Sequence, residues 1–373
     1  MIYLGKKRAD QICTRCINDC SVPGIYFDND RVCNYCKEYD RLSSKLKDFS
    51  KLEKLFFERL RSRRNQGEYD VLIGISGGKD STYLLDKLLR EYKCRVRTFT
   101  FDNGFTSPWA KKSVEDLVSH YQVDHSTISI PQDSVRTIYK KSIEMTAAPC
   151  SACAYAMYAS TVKLAQELSI PIAIHGRARN QMFRFLAPKS PDPFVDFVYD
   201  GLKAPSEVDL RETLRNVLGR IEKNLPKDFV ELLQGFLPNV EEGTTVEFLP
   251  YFLYHPYDER EIISHIEENC SWTLPKQRKH ALFSHYDCLV HDGSHYLYQV
   301  AKGQAHILPE ISVLIREGIL SRKQALDVLK ENLYNKVPQT DLKYLAKVTG
   351  MSREELLAIA KAHNEASNRN LKS

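Results

Sequence analysis

The sequence lacks a hydrophobic run long enough to cross a membrane. No stretch of the 373 residues approaches the roughly 18 uninterrupted apolar residues that a transmembrane helix needs. The first residues, MIYLGKKRADQ, also lack the apolar segment of a secretory signal. We therefore expect a cytoplasmic protein without membrane contact.

A large charge excess and internal repeats are missing as well. The 53 basic and 48 acidic residues leave a net charge of +5. This permits anionic substrates such as nucleotides but does not indicate nucleic-acid binding. No internal repeat or low-complexity segment is visible in the sequence. The length leaves room for two or three globular domains.

The cysteines, by contrast, are clustered. Four of the ten form two Cys-x-x-Cys pairs that are sixteen residues apart, at Cys13, Cys16, Cys33 and Cys36. This spacing is typical of a structural tetrahedral zinc site, with rubredoxin-like iron as the alternative. Because so short a segment cannot fold alone, metal binding would supply its stability. A further pair, Cys150 and Cys153, indicates metal or redox chemistry rather than a disulfide in a reducing compartment.

Strands and helices alternate from residue 69 to about 180. Short β-branched runs such as YDVLIGI, RVRTFTF and PIAIHG lie between helical patterns. This predicts an α/β fold with a doubly wound parallel sheet. Apolar spacing from Leu42 to Leu60 predicts one connecting helix before the sheet. The predicted regions are a zinc-knuckle segment at 1–40, a connecting helix at 41–68, the sheet domain at 69–275 with an insertion at about 185–250, and a mainly helical C-terminal region at 276–373.

One stretch, VLIGISGGKDSTYLLDKLL at residues 71–89, joins a buried strand to a helix through two glycines. Glycines let the backbone approach an anion closely, and the amides of the first helical turn point at it. Lys79 adds a cation, while Ser76 and Ser81 add hydroxyl donors. The loop is too short for the Walker form, which has four residues between its glycines. It predicts a site for one compact anion, such as pyrophosphate.

The SGGKDS stretch resembles the signature of the PP-loop ATP pyrophosphatases, which have a HUP-like fold. These enzymes use ATP and Mg²⁺ to activate an acceptor oxygen as an adenylate, and they release pyrophosphate. The resemblance implies catalytic roles for Lys79, Asp80 and Ser81. It implies ATP binding by the loop and by the ends of two further strands, namely Ser76, Gly77, Gly78, Lys79, Asp80, Ser81, Asp102, His175, Gly176 and Arg177. The Asp-Asn-Gly sequence that begins at Asp102 leaves a plain turn open as an alternative.

Both ends of the chain resemble N-acetyl sugar amidotransferases of surface-polysaccharide biosynthesis. The likeness lies in CTRCINDCSVPGIYFDNDRVCNYC, the SGGKDS domain and AKGQAHILPEISVLIREGILSRKQALDVL. Those enzymes convert the acetamido group of a nucleotide sugar into an acetamidino group, with ammonia from a separate glutaminase partner. The resemblance implies the same acceptor and partner here, and it leaves a homodimer open.

The sequence departs from that family after Pro149. Where a proline followed by acidic and histidine residues is expected, the chain has Pro-Cys-Ser-Ala-Cys, which resembles the Cys-Ser-x-Cys of tRNA thiolases in the same superfamily. There, two such cysteines and a distant third hold an iron–sulfur cluster or carry sulfur. Cys150 and Cys153, with Cys288 or Cys270, would then hold a [4Fe-4S] cluster in a sulfurtransferase that acts on tRNA or a small molecule. A zinc pair or a reduced thiol pair is the alternative. The resemblance at both ends favours nitrogen transfer.

Overall fold

A five-stranded parallel sheet organises the middle of the chain in the computed structural model, which describes residues 12–186, 214–223, 225–236, 246–275 and 286–370. Its strands are β1 (Val71–Gly74), β2 (Val96–Asp102), β3 (His125–Ser129), β4 (Ile172–His175) and β5 (Glu247–Pro250). All neighbouring strands are parallel, in the order β3-β2-β1-β4-β5. The predicted α/β sheet is confirmed.

Both faces of this sheet are buried. Along β1, Leu72 packs into one hydrophobic cluster with Phe99 and Phe248, whereas Val71 and Ile73 pack into another. Successive side chains of a strand point to opposite faces, so helices must cover both sides. The sheet is therefore doubly wound, and its carboxyl ends share one edge.

Helices make up most of the remaining described residues. Up to the last strand they are α1 (Asn34–Leu46), α2 (Phe49–Ser62), α3 (Lys79–Asp86, continued by a π-helical turn at Lys87–Glu91), α4 (Pro108–Tyr121), α5 (Gln132–Thr146), α6 (Cys150–Glu167), α7 (Arg179–Met182), α8 (Leu214–Lys223) and α9 (Lys227–Phe236). After β5 come α10 (Tyr251–Tyr254), α11 (Glu259–Asn269), α12 (His291–Lys302), α13 (Leu308–Glu317), α14 (Arg322–Glu331), α15 (Gln339–Thr349) and α16 (Arg353–Asn370). The C-terminal region is helical, as predicted. Within the described ranges, no helix is long and apolar enough to span a bilayer.

The connecting region consists of two helices, so the prediction of a single helix is wrong. α1 ends at Leu46 and α2 begins at Phe49. Asp48 interrupts the helix because its side chain accepts a hydrogen bond from the Lys51 amide at 3.2 Å and so caps α2. Leu46 and Leu52 nevertheless pack into the same cluster. Because the apolar stripe continues across the break, periodicity does not reveal it.

The interval at 185–250 is more regular than its sequence indicates. It contains α8 and α9, whose apolar residues Leu218, Phe229 and Leu233 pack into the cluster that also holds α6. The interval ends in β5. Residues 187–213, 224 and 237–245 of this interval lie outside the described residues.

The N-terminal segment packs against the C-terminal helices. Val22 shares a buried cluster with Leu308 and Ile311 of α13. An antiparallel bridge between Phe27 and Cys33 closes the turn-rich stretch between the two cysteine pairs. The segment that carries the two cysteine pairs is thus in contact with α13.

Candidate active site and metal centre

The SGGKDS loop lies where the strand order of the sheet reverses. From the central β1 the chain passes to β2 and β3 on one side, whereas β4 and β5 lie on the other. In open parallel sheets, ligands bind beyond the carboxyl ends of the strands at this switch point. Gly176, which follows β4, lies against the loop, because a Cβ added there would be 3.3 Å from the Asp80 carbonyl oxygen. The ends of β1 and β4 therefore form one site.

Gly77 allows the loop to turn tightly. Its φ of +78° is in the left-handed region, and an added Cβ would lie 2.6 Å from the Ala110 carbonyl oxygen. The Gly77 carbonyl oxygen accepts hydrogen bonds from Ser113 Oγ at 3.0 Å and from Trp272 Nε1 at 2.9 Å. The loop is thus fixed by α4 and by the segment after α11.

The loop leads directly into the first turn of α3. Ser76 Oγ accepts a hydrogen bond from the Gly78 amide at 3.3 Å, and Ser81 Oγ donates to the Gly78 carbonyl at 3.2 Å. Because α3 begins at Lys79, its positive N-terminus lies at the carboxyl edge of the sheet. This arrangement suits a compact anion.

Lys79 is held between carboxylates. Its Nζ lies 3.2 Å from Asp80 Oδ2 and 3.3 Å from Glu259 Oε1, and the Tyr257 hydroxyl donates to Asp80 Oδ1 at 3.1 Å. Burial lowers the pKa of this ammonium, but the charges of Asp80, Tyr257 and Glu259 raise it well above its usual value. The side chain therefore stays cationic at neutral pH and can attract phosphate.

Sequence reasoning did not identify Tyr257 and Glu259. They follow β5 and belong to no motif. The signal that can locate them is topological, because β5 pairs in parallel with β4 and its carboxyl end shares the same edge of the sheet. Their contacts with the loop make them part of the site.

Asp102 ends β2 at this edge. Its Oδ1 accepts a hydrogen bond from the Gly104 amide at 3.0 Å, which is the turn that Asp-Asn-Gly predicts, and its Oδ2 binds Lys111 Nζ at 2.8 Å. Burial raises the pKa of Asp102, but Lys111 and the Gly104 amide lower it below its usual value. Asp102 is therefore an ionised carboxylate with a structural role in the turn, and its contact with adenosine stays a prediction.

His175 and Arg177 follow β4 beside the loop. The Arg177 amide donates to His175 Nδ1 at 2.9 Å, and the imidazole stacks on Tyr158 with ring centroids 5.8 Å apart. Burial, with a smaller effect of the Arg177 charge, lowers the pKa of His175 to about 3. The imidazole is thus neutral, and Arg177 supplies the positive charge of this pair.

Cys150, Cys153 and Cys288, here termed the three-cysteine group, lie near the end of β2, close enough for their charges to interact, although their sulfurs do not all lie within 4.8 Å of one another. Asn103 Nδ2 lies 3.7 Å from Cys153 Sγ, and Cys288 forms an antiparallel bridge with Thr106. Cys153 and Cys288 pack against the same hydrophobic cluster. The structure therefore brings a pair and a distant third cysteine to the edge that carries the loop.

Burial governs the chemistry of the three-cysteine group. It raises the pKa of Cys153 to about 12, and it raises the pKa values of Cys150 and Cys288 above the usual value. Cys150 is nevertheless exposed to solvent. These are protonated thiols rather than activated thiolates.

Cys270, the other candidate for the third cysteine, lies elsewhere. Its Sγ accepts a hydrogen bond from the Tyr121 hydroxyl at 3.1 Å, and it packs with Leu117 and Trp272. Cys288 rather than Cys270 therefore accompanies Cys150 and Cys153.

The N-terminal cysteines form a centre of a different kind, here termed the four-cysteine centre. The buried Sγ atoms of this centre all lie within 4.8 Å of one another, in Cys13, Cys16, Cys33 and Cys36. The separation is 3.9 Å between Cys13 and Cys36, and 3.7 Å between Cys16 and Cys33. Tetrahedral coordination with metal–sulfur distances of ~2.3 Å requires sulfurs about 3.8 Å apart. The centre therefore fits one tetrahedral metal ion.

Backbone amides support the same conclusion. The Cys33 amide donates to Cys13 Sγ at 3.3 Å, and the Asn18 amide donates to Cys16 Sγ at 3.4 Å. Hydrogen bonds among the thiols lower the pKa of Cys13 and raise that of Cys33. Four sulfurs this close cannot all ionise without a cation. The cluster thus has the properties of a metal-binding site.

One family model matches the C-terminal region of the chain. The model of the family described as LPS biosynthesis protein WbpG-like, C-terminal domain, matches residues 284–370. The uncharacterized protein MJ1599 of Methanocaldococcus jannaschii is 25% identical over 130 residues, which are 35% of this chain. The chain spans 46% of the length of that curated relative.

Three solved structures resemble the chain at low identity. The NH3-dependent NAD synthetase of Campylobacter jejuni, in complex with the nitrate ion, has 16% identity and a TM-score of 0.30, and the match covers 49% of this chain and 75% of that one. The NMN synthetase of Francisella tularensis has 16% identity and a TM-score of 0.31, with 64% and 99% covered. The U34-tRNA thiolase NcsA of Methanococcus maripaludis, with its [4Fe-4S] cluster, has 13% identity and a TM-score of 0.35, with 91% and 96% covered. TM-scores this low assign neither a substrate nor a site.

The SGGKDS loop and the parallel sheet provide a further likeness to known proteins. SGGKDS leaves the central strand of a parallel sheet at its switch point, and a WbpG-like C-terminal domain follows in the same chain. This combination is similar to that of the PP-loop ATP pyrophosphatases, whose signature the loop sequence resembles.

Proposed function

We propose that this protein is an ATP-dependent amidotransferase that converts the N-acetyl group of a nucleotide sugar into an amidine. The observation that carries the proposal is the match of residues 284–370 to a domain of LPS biosynthesis proteins, in a chain that also has a compact anion site at the end of β1. Lipopolysaccharide is built from activated sugars, which supports a nucleotide sugar as the acceptor.

The chemistry suits this loop. An amide oxygen is a poor leaving group, so it first attacks the α-phosphorus of ATP, and the bond to the β-phosphate breaks with release of pyrophosphate. Ammonia then adds to the activated carbon, AMP departs with the oxygen, and loss of a proton leaves the amidine. The protein supplies alignment and charge neutralisation.

Residues at the loop have distinct roles in this proposal. Lys79, Ser81 and the N-terminus of α3 hold the departing pyrophosphate, while Arg177 provides a second cation beside it. Mg²⁺ would neutralise phosphate charge, and the Asp80 and Glu259 carboxylates are the oxygen ligands that this ion prefers. Phosphate would then replace the carboxylate contacts that Lys79 makes in the structure.

The four-cysteine centre is proposed to hold zinc in a structural role. Four cysteine sulfurs without an open position are typical of structural zinc sites, whereas catalytic sites keep one position for water. The centre packs against α13 through the cluster that contains Val22 and Ile311. Zinc would thus stabilise the contact between the two ends of the chain.

We propose that ammonia comes from a separate glutaminase partner in the cytoplasm. Transfer from a partner prevents loss of ammonia to water and protonation to ammonium. All ten cysteines are free of disulfides, the state expected in a reducing compartment.

The three-cysteine group supports a second candidate function. A pair and a third cysteine beside the loop can ligate an iron–sulfur cluster, which would make the protein a sulfurtransferase that acts on tRNA or a small molecule after the same adenylation. The raised pKa values of these thiols mean that they would need a bound metal to ionise.

The deciding experiment supplies ammonium chloride, Mg²⁺-ATP and a UDP-N-acetyl sugar to protein purified anaerobically. The amidotransferase should release AMP and pyrophosphate in equal amounts and form a product with NH in place of the acetamido oxygen, as measured by mass spectrometry. Lys79→Ala should abolish both products. Lys112→Ala is the matched control, because that exposed lysine forms its ion pair with Asp116 on the same face of α4.

Two outcomes would contradict the proposal. ADP and phosphate as the stoichiometric products would exclude the adenylation step itself. Iron and sulfide in stoichiometric amounts, with no ammonia-dependent product, would favour the sulfurtransferase.

A further inference from the structure

Arg316, the next-to-last residue of α13, carries a buried guanidinium that has few hydrogen-bond acceptors. The residue is 8% exposed. Its Nη2 donates to the Phe183 carbonyl oxygen at 3.5 Å, whereas Nε and Nη1 find no acceptor among the described residues. A buried cation normally has a compensating negative charge and full hydrogen bonding.

The carboxylates around Arg316 bind other arginines. Glu317 Oε2 lies 3.1 Å from Arg179 Nε, and Glu310 Oε1 lies 3.4 Å from Arg184 Nη1. Within the described part of the chain, no carboxylate forms an ion pair with Arg316. Its negative partner must therefore be sought among other groups.

The negative groups next to Arg316 are the sulfurs of the four-cysteine centre. α13 packs against this centre, because its Ile311 shares a buried cluster with all four of the cysteines. Cys36 contacts the Arg316 side chain, and the charges of Cys16 and Cys33 also act on it. Four thiolates around one divalent cation carry a net charge of −2, in a place that water does not reach. A neighbouring guanidinium offsets part of this charge and can donate N–H···S hydrogen bonds.

We propose that Arg316 is the charge-compensating residue of the four-cysteine metal centre. It is a positioning residue, not a catalytic one, and its role is independent of the reaction that the enzyme performs. The same side chain donates to Phe183 in the segment after β4, and the adjacent Glu317 binds Arg179 of that segment. α13 therefore joins the metal centre to the strand end that carries Arg177.

The first test measures zinc affinity by chelator competition in the full-length protein. Arg316→Met should weaken zinc binding roughly 10- to 100-fold, the range for residues that support metal ligands. Arg316→Lys retains the charge and should weaken it less. Arg322→Met is the control, because this exposed arginine contacts the same centre through the carbonyl oxygens of Cys13 and Cys16, and water screens its charge. Its effect should be smaller than that of Arg316→Met.

A second readout separates charge from packing. In protein loaded with iron instead of zinc, the reduced centre carries one more negative charge than the oxidised one. A nearby cation favours the reduced form, so Arg316→Met should shift the reduction potential to more negative values, whereas Arg316→Lys should leave it near that of the unmodified protein. If Arg316 acted only by packing, the reduction potentials of the Met and Lys variants would not differ in this way.

Wild-type protein provides a test if Arg316→Met does not fold. Removal of the metal leaves the guanidinium without its counter-charge, so amide hydrogen exchange should accelerate in α13 and in residues 179–186 as well as around the cysteines. Acceleration confined to the cysteines would overturn the proposal. So would unchanged zinc affinity and reduction potential in a folded Arg316→Met protein, or a wild-type protein that binds no metal.

Discussion

Two regions of this molecule contain the same Cys-x-x-Cys motif, but the groups that surround the sulfurs differ between them. In the four-cysteine centre, sulfurs from two pairs lie 3.7 to 3.9 Å apart, are fully buried and receive amide hydrogen bonds. In the three-cysteine group, one pair at the start of α6 meets Cys288, and burial keeps the thiols protonated. The motif alone therefore does not determine whether a cysteine pair is a ready-made metal site.

The difference arises from what faces each pair. A second pair, delivered across the bridge between Phe27 and Cys33, completes a tetrahedron around a single ion in the first region. In the second region the pair faces Tyr139, whose hydroxyl lies 3.2 Å from Cys153 Sγ, and Asn103. Burial keeps Cys153 a protonated thiol, although the contacts with Tyr139 and Asn103 lower its pKa, whereas four clustered sulfurs require a cation.

Loss of one ligand from the four-cysteine centre should have the largest effect. Cys13→Ser should remove the bound metal ion and unfold the N-terminal segment, because so short a segment depends on its metal. Metal analysis per protein chain and near-ultraviolet circular dichroism measure the two effects. Cys20→Ser is the matched control and should keep its metal, since this cysteine lies outside the cluster. A full complement of metal in Cys13→Ser would contradict the assignment of the four-cysteine centre as a metal site.

The second-largest effect should be a difference in thiol reactivity between the two regions. Because the pKa of Cys153 is raised from 9.0 to about 12, its thiolate fraction at pH 8 should be roughly a thousandfold lower than that of an unfolded cysteine. Iodoacetamide labelling followed by peptide mass spectrometry measures the rate, which should rise about tenfold per pH unit. Cysteines of the metal-loaded centre should stay unlabelled until a chelator is added. Equal labelling of Cys153 in folded and urea-unfolded protein would contradict its raised pKa.

The third prediction concerns enzyme activity, for which we expect a smaller change when a residue of the three-cysteine group is replaced. If nitrogen is transferred, Cys150→Ala and Cys153→Ala should each keep ammonia-dependent activity within about tenfold, as expected for protonated structural thiols. If the group holds a cluster, both variants and Cys288→Ala should lose iron, visible absorbance and activity together, and Cys270→Ala should lose none of them. Steady-state AMP release and iron analysis distinguish these results.

The smallest effect concerns stability at alkaline pH. The pKa of Cys153 is higher in the folded protein than the 9.0 expected when unfolded. The unfolded chain therefore loses this proton first, and the stabilising contribution, complete below pH 9, declines as the pH rises towards 12. Urea unfolding across this range should show a shallower decline for Cys153→Ala than for the unmodified protein. Parallel declines would show that the thiol does not contribute.

Much of the site follows from local sequence. SGGKDS predicts its own loop because Gly77 must adopt a positive φ and because a helix begins at Lys79. The two N-terminal Cys-x-x-Cys pairs predict their centre because their spacing suits a hairpin between two ligand pairs. These features depend on backbone geometry within a few residues, which sequence patterns report directly.

Other features depend on contacts between distant parts of the chain. Glu259 binds Lys79 across 180 positions, and Arg316 reaches the four-cysteine centre from the opposite end of the sequence. The choice of Cys288 over Cys270 is of the same kind. No local pattern marks such residues, because the sequence around an acidic or basic residue in a helix does not show which distant residues pack against it.

By itself, the sequence determined the class of fold, the SGGKDS loop and the four clustered cysteines, since each rests on short-range periodicity, glycine conformation or ligand spacing. Only the tertiary structure decided that the connecting region breaks at Asp48, that Lys79 is held by Glu259, and that burial keeps Cys153 a neutral thiol. The physical reason is that electrostatics and desolvation act through space. A pKa or an ion pair is set by whatever packs nearby, and the parallel sheet brings together residues that are far apart in the chain.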